Sequence, residues 1–185
     1  MAQQGAHTDD DTTATNDVNI LRVMFVGPDK ELFEVVEDHL RNDFKFLASY
    51  VSSGKLIVSK TMQGAADICL VSAGALGNVS DVVDYCLALR QSSPDLPVIL
   101  LSANVAMSDF STERWELCDA TVKVPVTRVS LALAVSAALQ NNLAFVKMCK
   151  DTGRWLDPKE PMGEAEPELA IVLESTFEDR TEHLS

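Results

Sequence analysis

Near-continuous apolar runs recur five times along this chain, each followed by a segment with helical character, and that alternation constrains the fold more than any other feature. The runs are ILRVMFVG (20–27), FKFLASYVSS (44–53), ADICLVSA (66–73), VILLSA (98–103) and ATVKVP (120–125). A strand half-exposed to water alternates apolar and polar residues, whereas these do not. Strands buried on both faces belong to a parallel sheet with helices on either side. The expected fold class is therefore α/β, a doubly wound five-stranded parallel sheet of flavodoxin-like type.

The intervening segments agree. Residues 29–43 place Leu32, Phe33, Val36 and Leu40 on one helical face behind Asp29, an acidic N-cap suited to the helix dipole. Residues 79–92 repeat the pattern with Val79, Val82, Val83, Cys86, Leu87 and Leu89. Shorter helices are expected over 53–64 and 108–118, and a long final helix over 127–150.

Charge divides the chain into three parts. Of the net charge of −13, residues 1–18 carry four Asp and no Lys or Arg, and residues 151–185 carry ten acids against three bases, leaving the middle nearly neutral. We expect a disordered acidic leader over 1–18, a globular domain over 19–149 and an acidic, largely flexible tail over 150–185. An acidic surface lacks the counterion release that drives nucleic-acid binding, so no such partner is expected. The longest apolar run, VSLALAVSAAL, is about half a membrane span and is followed by Gln140, Asn141 and Asn142, so no membrane insertion is expected. With no secretory signal pattern at the N-terminus, the expected location is cytoplasmic. Cys69, Cys86, Cys118 and Cys149 lie far apart in apolar surroundings and read as small core hydrophobes. With His7, His39 and His183 scattered, they offer no metal site.

In open α/β sheets function sits in the loops at the carboxyl ends of the strands. Those loops are GPDK, SAGALGN, SAN and KVP. They hold no GxGxxG, no Walker A sequence, no GxSxG and no histidine. Ser72 therefore lacks the partners of a hydrolase nucleophile, and no enzyme activity, cofactor or metal is expected.

These segments resemble the receiver domain of two-component response regulators, the CheY-like superfamily, over about residues 20–142. LRVMFVGPD resembles its first strand, ADICLVSAGALG its phosphoacceptor strand and loop, LPVILLSAN its fourth strand, and CDATVKVP its fifth. The resemblance implies five working positions: two acids that bind magnesium, an aspartate that accepts the phosphoryl group, a hydroxyl that senses it and a lysine that pairs with it. Here the acidic pair falls on Gly27 and Pro28, with Asp29 nearby. The acceptor falls on Ser72, the hydroxyl on Ser102 and the lysine on Val124, before Pro125. Lys123 is one residue early and on a strand points to the other face, and the switch aromatic falls on Thr121. Only Ser102 and Pro125 match. The resemblance thus implies a degenerate pseudo-receiver without its phosphoacceptor. A displaced metal pair of Asp29 and Asp67 is disfavoured, because Asp67 opens strand three at the end opposite Ser72.

The function expected from these residues is a phosphorylation-independent, receiver-like adaptor acting through a protein partner in a bacterial regulatory pathway. The alternative is a flavodoxin-like small-molecule-binding or enzymatic domain with its ligand at the strand carboxyl ends. That would require phosphate-binding loops, which only SAGALGN approaches. The last helix is apolar over more than one face, so Val129, Leu133, Leu143, Val146 and Met148 form the candidate interaction surface, for a partner or for a homodimer.

Overall fold

The computed structural model of the chain describes residues 20–52, 64 and 66–154. The leader over 1–18, most of the helix expected over 53–64, and the tail from residue 155 onward lie outside the described residues.

Five strands, β1 (Leu21–Val26), β2 (Phe46–Val51), β3 (Ile68–Ser72), β4 (Val98–Ser102) and β5 (Ala120–Lys123), form one sheet in the order β2-β1-β3-β4-β5. Every pairing is parallel, with register marked by Val23↔Ile68, Ser72↔Leu101 and Ser102↔Lys123. Among the described residues three α-helices accompany it: α1 (Lys30–Arg41), α2 (Val79–Ser92) and α3 (Arg128–Thr152). This is the doubly wound five-stranded architecture that the apolar runs called for.

Alternate strand residues serve opposite faces. Val23, Phe25, Ile68, Leu70, Ile99, Leu101 and Val122 pack with Val36 and Leu40 of α1 and with Leu131, Ala134, Val135 and Ala138 of α3. Met24, Val26, Cys69, Val71 and Val98 face the other way, against Tyr85, Cys86 and Leu89 of α2. The caps follow the local sequence. Asp29 accepts from Leu32 N–H at 2.9 Å to open α1, and reciprocal capping boxes open α2 (Asn78, Asp81) and α3 (Thr127, Ser130). Gly77, at φ +91°, leads into the α2 box, and a Cβ there would come within 2.9 Å of Asp81 Oδ2.

Two expectations need correction. The helix expected over 108–118 does not form; turns and bends run there instead, tied to β5 by an antiparallel Asp109↔Thr121 bridge. The reason is local: Asp109 Oδ1 accepts from Ser111 N–H at 2.9 Å, and such side-chain bonds compete with the helical ladder. The second concerns the apolar run VSLALAVSAAL, expected to be about half a membrane span: the helix that carries it runs on through Gln140-Asn141-Asn142, as the expected helix over 127–150 does. Asn141 Nδ2 donates to the carbonyls of Phe110 (3.0 Å) and Asp119 (2.8 Å), and Asn142 Nδ2 donates to that of Pro94 (3.1 Å). With both amides occupied inward, α3 continues to Thr152 and is long and apolar enough to cross a membrane. A third of its most apolar stretch is buried inside the domain, and the helix turns Leu131, Ala134, Val135, Ala138, Phe145 and Cys149 inward.

Candidate functional site

The candidate site lies where β1, β3, β4 and β5 end. Ser72 and Ser102 close β3 and β4, and both are buried. Val26 pairs with Val71, so Gly27 and Pro28 leave β1 level with Ser72. Ser102 Oγ accepts from Asn104 N–H at 3.2 Å, a bond within its own turn. Val124, half-buried, packs against the α1/α3 side of the core and precedes Pro125 through a cis peptide.

Among the described residues, charge at these strand ends is scarce and already engaged. Asp29 caps α1. Lys123 projects outward and donates from Nζ to the Ala106 carbonyl at 2.9 Å, while its backbone N–H donates to Ser108 Oγ at 3.0 Å. Thr121 is buried beside Cys118 Sγ, 3.5 Å from its hydroxyl. Among the described residues, no group of three or more His, Cys, Asp or Glu is placed to hold a metal ion. Asp29 and Asp67 are not brought together. Asp67 sits at the amino end of β3, where Oδ2 accepts from Arg22 N–H (2.8 Å) and Nε (3.1 Å) and Oδ1 accepts from Nη2 (2.6 Å). Those bonds from Arg22 hold its carboxyl below the usual range.

The cysteines are unsuited to nucleophilic work. Burial pushes the thiols of Cys69 and Cys86 up to about 12 and raises those of Cys118 and Cys149.

The candidate interaction residues divide. Val129, Leu133 and Leu143 are 69%, 53% and 73% exposed and share one face of α3. Val146 and Met148 are half-buried and lie on opposite flanks of that face, so the five do not form one stripe. Leu139, 37% exposed, adjoins the outer face and was missed.

Also missed was a polar centre inside the domain. Arg90 of α2 and Asp119, just before β5, are both fully buried and meet at 2.6 Å. Asp119 Oδ2 accepts from Val98 N–H at 2.7 Å, and its own N–H donates to the Val98 carbonyl at 2.8 Å, clamping the starts of β4 and β5. Arg90 donates to the Leu96 carbonyl (3.3 Å) and lies 4.6 Å from the centre of the Phe145 ring. Burial raises the Asp119 pKa, and Arg90 works against that rise. The available signal was an acid between Cys118 and Ala120 in an otherwise apolar approach to a strand.

No family model and no curated protein matches the chain. Solved structures do. The chemotaxis response regulator CheY4 of Vibrio cholerae is 11% identical, with 65% of this chain and 100% of that one covered at a TM-score of 0.51. The N-terminal domain of a response regulator/sensory box/GGDEF protein from Carboxydothermus hydrogenoformans is 21% identical, covering 68% and 98% at 0.52. A protein named for pilus assembly (cpaE) from Burkholderia thailandensis is 15% identical, covering 65% and 99% at 0.52. The fold is that of CheY-like receiver domains.

Proposed function

We propose that this chain is a pseudo-receiver: a signalling adaptor that works through protein–protein contact in a bacterial regulatory pathway, in the cytoplasm, without being phosphorylated. The observation that carries this reading is the composition of the strand ends. Ser72 stands where β3 ends, and the one nearby acid among the described residues, Asp29, is committed to a helix cap. Phosphoryl transfer to a receiver needs a carboxylate acceptor, hard oxygen ligands for Mg²⁺ and a cation for the new anion. Ser72, Gly27-Pro28 and Val124 supply none of these. A serine hydroxyl is a poor nucleophile without an adjacent base or metal. The receiver fold of a protein named for pilus assembly is consistent with this architecture serving outside response regulators.

The test is a two-dimensional amide NMR titration with Mg²⁺ and beryllofluoride, a phosphoryl mimic. Under this reading the signals of Gly27, Ser72, Ser102 and Val124 stay in place. A concerted shift of those signals at millimolar concentrations overturns it.

A further inference from the structure

A cavity of about 390 Å³ lies at the amino ends of β1, β3 and β4, the end of the sheet opposite Ser72 and Ser102. Its volume falls within the range of small-molecule sites, roughly 300–1,000 Å³. Ala66, Leu96, Pro97, Leu139 and Leu143 give it apolar walls, and Arg22, Asp67, Ser93, Asp95 and Asn142 add polar groups. Two bonds fix its floor. Asn142 Nδ2 donates to the Pro94 carbonyl at 3.1 Å, tying α3 to the turn that links α2 to β4. Leu96 N–H donates to the Ser93 carbonyl at 3.2 Å, closing that turn.

The donors and acceptors in the wall decide what it can take. Among the described residues Arg22 is the one cation there, and it is already spent. Its Nε and Nη2 donate to Asp67 at 3.1 and 2.6 Å, and its Nη1 donates to the Gly64 carbonyl. An anion therefore finds no free cationic donor. Two acceptors are unspent. Ser93 is 1% exposed, and its Oγ has no hydrogen-bond partner among the described residues. The exposed carboxylate of Asp95 is neither hydrogen-bonded nor ion-paired among the described residues. With Arg22 balancing Asp67, Asp95 leaves the wall net negative. We propose that this cavity binds a small organic amine, its apolar body against Leu96, Leu139 and Leu143 and its ammonium held by Asp95 and by Ser93 Oγ. An ammonium brings three donors and no acceptor, which matches what the wall has left to offer. A carboxylate or phosphate would instead face Asp95 with like charge. This site goes beyond the adaptor reading and does not depend on it, because it lies at the other end of the sheet from the receiver-type strand ends.

The test follows the isotope-labelled full chain by amide NMR during titration with phenethylamine. Phenethyl alcohol and hydrocinnamate serve as the neutral and anionic counterparts. Phenethylamine should move the signals of Ala66, Asp67, Asp95 and Leu143 in a saturable way at about 10 mM or below, the range open to so small a ligand. The alcohol should bind about fivefold more weakly, and hydrocinnamate more weakly still. Asp95→Asn and Ser93→Ala should each weaken the amine by about threefold or more, with melting temperatures close to the parent's. No saturable shift over that range overturns the proposal, and so does equal binding of the amine and hydrocinnamate. Shifts centred on Ser72 and Ser102 would overturn the placement. Unchanged binding by either variant overturns the role given to that residue.

Discussion

Replacing Asp119 with Asn removes one charge from a fully buried pair while keeping the shape and an acceptor for Val98 N–H. Arg90 cannot shed its proton, so its charge is left uncompensated where neither side chain of the pair has any exposure. Breaking such a pair costs about 3–5 kcal/mol, against a total stability of about 5–15 kcal/mol for an ordinary domain. The Leu96 carbonyl and the Phe145 ring face the guanidinium in parent and variant alike, so they cancel in the difference. The expected loss is thus about 3–5 kcal/mol. Arg90 Nε has no hydrogen-bond partner among the described residues, so neutralising the arginine as well sacrifices little. The double variant Arg90→Met/Asp119→Asn should therefore recover most of the loss, to within about 1–2 kcal/mol of the parent. Urea unfolding of the parent, both single variants and the double variant measures this cycle. A loss below about 1 kcal/mol for Asp119→Asn, or additive single effects, would refute the account of this pair as mutually compensating charges.

Other consequences are open to direct measurement. Ser72→Asp places a carboxylate at a buried position with no cation beside it among the described residues. It should cost about 2 kcal/mol or more without conferring Mg²⁺ binding, read by chemical denaturation and metal titration. Asn141→Ala leaves the Phe110 and Asp119 carbonyls without their shared donor and should cost about 1–3 kcal/mol, with faster amide exchange around Asp109 and Thr121. Arg128 and Arg22 hold the carboxyls of Asp43 and Asp67 below their usual pKa, and hydrogen bonds from Ser111 do the same for Asp109. Depressed folded-state pKa values give stability that is present above the unfolded value and lost as pH falls through the folded one. Thermal melts should therefore be flat near neutrality on this account and decline below about pH 4. An Asp67 signal that titrates at or above the ordinary carboxylate range would contradict it.

The sheet was legible from composition alone, because strands buried on both faces must be apolar throughout, as Ile68–Val71 and Val98–Leu101 are. Helices α1 and α2 were equally plain, since the cap at Asp29 and the apolar spacing of both helices are local properties. So was the paucity of charge at the strand ends, which depends only on which residues follow each strand.

Tertiary structure decided the rest. Residues 108–118 have enough helical character to be read as a helix, yet the bridge from Asp109 to Thr121 and the turn at Ser111 hold them otherwise. Asn141 and Asn142 end the apolar run in the sequence, but the carbonyls they serve, from segments 22 to 48 residues away, are identified only by the fold. The same holds for Arg90 and Asp119, separated by 29 positions. Each by itself predicts a solvated charge, and only packing brings them within 2.6 Å and out of water. Local sequence sets what a segment prefers, but a buried polar group becomes tolerable only when a distant partner arrives, and that partner is chosen by the fold.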